Sequence, residues 1–162
     1  MGKVILICGK IGSGKTTYMH KLAIELNAMT LTQDEIMYGL FGKDLYYENR
    51  EMYYKHATWV EAFVFRKAGE AAKSGATVLV DNGVWSAEER AMLRKFYADM
   101  GVICELHYLD TSEMQRRKNI QKRNAAILRG ELNESVMEES DIDHDFDTPH
   151  DEEIDVRVLY ES

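Results

Sequence analysis

Eight residues, Gly9-Lys10-Ile11-Gly12-Ser13-Gly14-Lys15-Thr16, constrain this chain more than any other stretch of it. They match the spacing G-x-x-x-x-G-K-[ST] at every fixed position. The pattern has meaning only between a buried strand and a helix. Lys3–Cys8 is an apolar run of strand length that stops at Gly9, and residues 15–27 carry Met19, Leu22, Ala23 and Leu26 at helical spacing. Strand, glycine loop and helix therefore follow in the required order. Glycines let backbone N–H groups converge on an anion without Cβ clashes, and the helix start adds its positive dipole end. We read Gly9, Lys10, Ile11, Gly12, Ser13, Gly14, Lys15, Thr16 and Thr17 as a phosphate-binding loop. The expected ligand is a nucleoside triphosphate, ATP with Mg²⁺. Lys15 is expected to reach the β- and γ-phosphates and to act in catalysis, and the Thr16 hydroxyl to hold the metal.

Punctuation by glycine and by helix caps divides the rest. Residues 28–31 read as a second short strand, and 34–41 as a short helix closed by Gly42. Residues 48–74 carry a wide apolar stripe, from Met52 through Val60 and Val64 to Ala72, and read as one long helix ended by Ser74-Gly75. Residues 76–80 form a β-branched strand ending at Asp81. Ser86 with Glu89 three residues on has the form of a capping box for a helix to about residue 100. A fourth strand is expected over 102–109, a helix from Thr111 or Ser112 to about 129, a short helix over 133–141 and a last strand over 155–160. Strands alternating with helices predict one α/β domain over residues 1–162 with a mainly parallel sheet.

Composition narrows the function classes. Apolar residues at 45% and charged residues at 30% suffice for a packed core with a solvated surface. No apolar run approaches the ~20 residues of a membrane span, so a cytoplasmic protein without membrane contact is expected. Cys8 and Cys104 both sit in apolar runs and read as buried free thiols. The net charge of −8 is uneven. Residues 131–155 hold twelve acids and no Lys or Arg, whereas residues 1–130 carry 19 bases against 15 acids. That asymmetry disfavours a broad nucleic-acid surface while permitting a local phosphate pocket.

Three further features point to phosphoryl transfer. Asp81 ends a buried parallel strand, where ligands bind in such sheets, and is expected to contact Mg²⁺. Asp34 follows the second strand, where a carboxylate either takes a proton from an attacking hydroxyl or caps the 34–41 helix. Arg116, Arg117, Lys118, Lys122, Arg123 and Arg129 make a basic helix that is either a solvated surface helix or part of a lid over 116–135. Arg116 and Arg123 are its candidate nucleotide contacts. No N-K-x-D guanine-reading signature occurs.

The loop, then Leu31-Thr32-Gln33-Asp34, then Val80-Asp81-Asn82-Gly83-Val84-Trp85-Ser86-Ala87-Glu88-Glu89-Arg90, then Leu106-His107-Tyr108-Leu109-Asp110, then Gln121-Lys122-Arg123-Asn124 occur in that order. Over residues 3–125 this resembles a group of P-loop kinases. The group includes the kinase domain of polynucleotide kinase, zeta-toxin-like proteins and chloramphenicol-phosphotransferase-like proteins. The resemblance implies a P-loop NTPase fold of the nucleoside-monophosphate-kinase type, a three-layer sandwich with a five-stranded parallel sheet and a lid. It implies Asp34 as general base and Arg123 as the lid arginine on the donor phosphates. Polynucleotide kinases tend to carry an arginine three residues after that aspartate, and here Met37 stands there. The expected acceptor is therefore a small, uncharged, hydroxyl-bearing molecule, with the tyrosine-rich stretch 46–54 lining its pocket; the alternatives are a nucleoside, nucleotide or polynucleotide 5′-kinase, and a non-catalytic ATP-binding module or simple ATPase.

The acidic stretch alternates Asp141, Asp143, Asp145 and Asp147, with Glu152 at the twelfth position. Phe146 at the sixth, where a calcium loop turns on glycine, argues against that use. The stretch reads as a solvated loop, with Phe146, Pro149 and His150 expected to pack on the adenine.

Overall fold

A computed structural model describes residues 2–137 and 145–159. Five parallel strands form one sheet: β1 (Lys3–Cys8), β2 (Met29–Thr32), β3 (Thr77–Asp81), β4 (Ile103–Asp110) and β5 (Val156–Leu159), in the order β2-β3-β1-β4-β5. Six α-helices accompany them: α1 (Lys15–Leu26), α2 (Gln33–Phe41), α3 (Leu45–Glu48), α4 (Arg50–Lys73), α5 (Ala87–Asp99) and α6 (Glu113–Leu128). The expected three-layer α/β fold with a five-stranded parallel sheet is the fold observed.

The central strand shows why its whole run is apolar. Side chains alternate across a strand, so Val4, Leu6 and Cys8 face one way and Ile5 and Ile7 the other. The first set joins the core built with Val60, Val64 and Phe65 of α4 and Leu93 and Tyr97 of α5. The second set packs with Met19 of α1, Leu79 of β3 and Leu109 of β4. Both faces are covered.

Two elements differ from the sequence reading. The long helix expected over 48–74 is divided, because Asn49 breaks from helical backbone (φ −151°, ψ 86°) and caps α4. Its side chain accepts a 3.1 Å hydrogen bond from the Met52 N–H. The short helix expected over 133–141 is not formed over 133–137, where side-chain contacts to distant elements hold the chain irregular. Its remainder, with Asp141 and Asp143 of the acidic alternation, lies outside the described residues, as does Tyr160 of the last strand. The predicted caps at Ser86 and Ser112 are both present, accepting from the Glu89 and Gln115 N–H groups.

Candidate active site

The C-terminal ends of β1, β3 and β4 deliver the glycine loop, Asp81 and Thr111 to one edge of the sheet. The loop is held from behind. Thr111 Oγ1 donates to the Ser13 carbonyl at 2.8 Å, Asn119 Nδ2 to the Gly12 carbonyl at 2.8 Å and Arg116 Nη1 to the Ile11 carbonyl at 3.1 Å. Three consecutive carbonyls are thus drawn toward the start of α6 and turned away from an anion, and within the loop the Ser13 N–H alone is spent on the Lys10 carbonyl, at 3.1 Å, among the described backbone bonds. Gly12 (φ 78°) and Gly14 (φ 94°) occupy left-handed backbone, and a Cβ on Gly12 would lie 2.7 Å from the Arg116 carbonyl oxygen. Lys15 Nζ bends over the loop and donates to the Gly9 and Lys10 carbonyls at 2.9 and 3.3 Å. Thr16 and Thr17 are exposed in the first turn of α1.

Arg116 departs from its expected place as a nucleotide contact. It is 5% exposed, and the hydrogen bond of its guanidinium ties down the loop. The basic helix as a whole resolves into separate roles. Arg117 pairs with Glu113 and Arg129 with Glu131, while Lys118 and Lys122 are exposed. Arg123 alone of the group acts electrostatically on Asp34.

Asp34 is the second residue of α2, one past the helix start, and Thr32 takes the N-cap position. The capping alternative therefore does not describe it. Asp34 is exposed, yet enough protein is packed around its carboxylate to disfavour the charged form. Burial pushes its pKa up, against the pull of Arg123 and then Lys15, with Glu134 adding to the rise. Asp81, half-buried at the end of β3, is likewise raised by burial, opposed first by Lys15, and raised further by Asp34. The Gly83 N–H bonds to it. Lys15, Asp34, Asp81 and Arg123 thus share one electrostatic neighbourhood. Two carboxylates there, each raised by burial, favour an added cation. The oxygen donors Thr16 and Asp81 suit Mg²⁺, which takes few protein ligands and completes its shell with phosphate and water.

The segment after Asp81 is rigidly built. Val84 lies at φ 33°, a costly conformation for a β-branched residue. Arg90, 1% exposed, donates through Nη1 to the Val84 and Trp85 carbonyls at 3.1 Å each and through Nε to Glu153 at 3.0 Å. Cys8 Sγ also donates to the Val84 carbonyl, at 3.6 Å. The run from Asp81 to Ser86 is therefore a loop braced by Arg90.

Beside the glycine loop lies a cavity of about 270 Å³ lined by Ser13, Gly14, Thr17, Leu109, Thr111 and Val158 among others. Phe146, Pro149 and His150 do not line it. Phe146 instead stacks on Tyr108, with ring centroids 6.4 Å apart, and Pro149 is buried. On the other side of Asp34, Tyr46 meets Tyr53 and Tyr47 edge-on at 5.1 Å each. Tyr38 and Tyr53 both sense the charge of Asp34. Burial pushes the Tyr38 phenol up to about 12 and Tyr53 higher still, so both stay neutral. Met37 is 1% exposed and packed into the core, so an arginine at that position would carry its charge inward.

Sequence reasoning passed over Thr111, Asn119, Arg90 and Glu134. Asn119 lies one turn before Arg123 on α6, a spacing that could have drawn attention to it. Glu134 offered no signal within an acidic run.

Comparison with known proteins adds the family. A family model described as "AAA domain" (AAA_33) matches residues 4–141. No curated protein sequence matches the chain. Among solved structures, a candidate kinase from Chloroflexus aurantiacus j-10-fl superposes with a TM-score of 0.70 at 15% identity, covering 98% of this chain and 85% of that one. The APS kinase CysC of Mycobacterium tuberculosis, solved with AMPPNP and APS, gives 0.61 at 22% identity, over 98% and 88%. A gluconokinase from Sinorhizobium meliloti 1021 gives 0.60 at 19%, over 97% and 82%. At these identities the likeness is one of fold.

Proposed function

This chain belongs to the AAA domain family whose model spans residues 4–141, and on that footing we propose that it is an ATP-dependent phosphotransferase. It would move the γ-phosphoryl group of MgATP to a hydroxyl of a small molecule. The observation that carries the reading is Asp34: an exposed carboxylate after β2, within electrostatic reach of Arg123 and of Lys15 from the glycine loop. A loop built only to bind nucleotide has no use for such a base.

Each residue then has a task. The glycine-loop N–H groups other than that of Ser13, together with Lys15, hold the phosphates, and the cavity beside Thr17 and Leu109 takes the base of the nucleotide. Thr16 and Asp81 would hold Mg²⁺, which supplies charge neutralisation to the phosphates when bound. Asp34 orients the acceptor hydroxyl and takes its proton as the new O–P bond forms and the bond from the γ-phosphorus to the bridging oxygen breaks. ADP leaves with that bridging oxygen. Arg123 stabilises the charge on the transferring group.

The acceptor is a small molecule without a phosphate of its own. Support comes from Met37 in the core and from the neutral phenols of Tyr38 and Tyr53 beside Asp34. Nucleic acid is disfavoured on the same grounds. Among the described residues no helix is long and apolar enough to cross a membrane, in keeping with a cytoplasmic enzyme.

The test is transfer from γ-labelled ATP to pooled nucleosides, oligonucleotides, aminoglycosides and other hydroxyl metabolites, with Asp34→Asn and Lys15→Ala beside the wild type. Label in one pool that both variants lose is the expected result. Full transfer by Asp34→Asn would remove Asp34 from the mechanism, and tight ATP binding with no labelled pool would favour a nucleotide-binding module.

A further inference from the structure

Glu134 sits in the acidic run, yet its carboxylate turns back to α6. Arg123 Nε donates to Glu134 Oε2 at 2.8 Å, and Arg123 Nη2 donates to the same oxygen. A guanidinium has five N–H donors in a rigid plane. This contact uses the single Nε donor and one on Nη2, both on one edge. The Nη1 pair and the second Nη2 donor have no partner among the described residues. The side chains are 32% and 34% exposed, so the pair is open to the cleft rather than sealed in the core.

The segment bearing Glu134 is tied at both ends of the cleft. On the lid side, Asn124 Nδ2 donates to the Met137 carbonyl at 3.0 Å, and the Met137 N–H donates back to Asn124 Oδ1 at 2.9 Å. On the other side, Ser135 Oγ donates to the Lys43 carbonyl at 2.6 Å, and the Tyr47 hydroxyl donates to the Val136 carbonyl at 2.9 Å. Residues 134–137 therefore form a strap from α6 to the turn between α2 and α3, across the neighbourhood of Asp34.

We infer that Glu134 is a positioning residue, one that grips the Nε edge of Arg123 and so aims its free Nη1 edge at the transferring phosphoryl group. The inference rests on the phosphotransferase reading above. An arginine held by one edge meets a phosphate with the other at no further ordering, and a displaced donor loses rate before it loses affinity. The strap gives the grip its direction, because Glu134 cannot follow the arginine if α6 moves alone. Glu134 also tempers the cation beside Asp34. The charged and titratable groups acting around that base are Lys15 on α1, Arg123 on α6, Glu134 on the strap, Asp81 on β3, and Tyr38 and Tyr53 on α2 and α4. Removing the Glu134 charge leaves Arg123 to act on Asp34 unopposed.

The experiment compares wild type, Glu134→Gln, Arg123→Ala and the double variant. Release of γ-phosphate from MgATP, with water as acceptor, is measured in single turnover across pH. Binding of MgAMPPNP is measured by calorimetry and unfolding by heating. Glu134→Gln is expected to slow release by about tenfold while AMPPNP affinity stays within about twofold. Its acid limb moves to lower pH, and in the Arg123→Ala background it has no further effect. An equal loss in that background, or an unmoved acid limb, would show a merely structural role and overturn the inference. Faster release, or tighter AMPPNP binding, would make Glu134 a competitor of the phosphates and overturn it too. Wild-type protein that binds AMPPNP but transfers the γ-phosphoryl neither to water nor to any of the acceptor pools sinks the phosphotransferase reading and this role together. Cleavage indifferent to the variants sinks this role alone.

Discussion

The glycine-loop side of this site (the phosphate side) and the tyrosine side proposed to take the acceptor (the acceptor side) are built on opposite plans. On the phosphate side the backbone does the work, with glycines in left-handed conformations and carbonyls tied by Thr111, Asn119 and Arg116. A Cβ on Gly12 would run into the Arg116 carbonyl and Ile120. On the acceptor side, side chains from α2, α3 and α4 make the walls, mostly tyrosines touching edge to edge, with Tyr47 and Tyr54 exposed. Phosphate is the same group in every donor, so a rigid backbone cradle serves it. Acceptors differ, and a wall of side chains can be changed residue by residue without moving the sheet.

That contrast can be broken at the chemistry first. Asp34→Asn, at the boundary of the two sides, should cut transfer by roughly 10²–10⁴-fold with AMPPNP affinity retained, in parallel turnover and calorimetric measurements. Lys15→Ala should cost turnover roughly 10²–10³-fold and weaken AMPPNP binding as well, because it lies wholly on the phosphate side. If both variants lost affinity alike, the division would be wrong.

Two glycines sharpen the comparison through stability. Gly12→Ala places a Cβ against Arg116 and Ile120 at positive φ, and denaturant unfolding should show a loss of about 1–3 kcal/mol. Gly39, in α2 on the acceptor side, has open space where a Cβ would stand. Gly39→Ala should stabilise the protein by roughly 0.5–1 kcal/mol.

The smallest effect concerns pH. Asp34 and Asp81 have raised pKa values in the folded state, with burial the first cause, so folding favours their protonated forms. The stability this linkage contributes is full at low pH and is lost as pH rises through the folded values. Asp34→Asn and Asp81→Asn should therefore raise Tm modestly at neutral pH, with the gain fading as the buffer is acidified. The acid limb of wild-type turnover should also lie above the usual aspartate range. A limb at or below that range would mean that Arg123 and Lys15 outweigh the burial.

The same division separates what the sequence revealed from what it hid. The glycine loop, Asp81 and the strands between them were legible because each rests on local rules. Glycine goes where φ is positive, apolar runs make buried strands, and serine caps at Ser86 and Ser112. The core direction of Met37, the bracing role of Arg116 and the partnership of Glu134 with Arg123 depend on which distant elements come together. Residue type alone favoured a phosphate contact for Arg116, and the Ile11 carbonyl took it instead. The break at Asn49 lay between these cases. Asparagine is a good cap, but the apolar stripe starts only at Met52, so nothing in its period marks where the helix should begin, and the sequence reading places Asn49 inside it.

The two thiols give the molecule a chemical silence that can be used. Cys8 is buried as expected and Cys104 only half-buried, yet burial pushes Cys8 up to about 12 and Cys104 up to about 11, so almost none of either is thiolate at neutral pH, the form that attacks alkylating reagents. A maleimide dye offered to the native protein should find little to react with. A cysteine introduced at the exposed Asn133, next to Glu134, would then be the one reactive handle. A fluorophore there could report, in real time and without altering either native thiol, whether the strap shifts when nucleotide or acceptor enters the cleft.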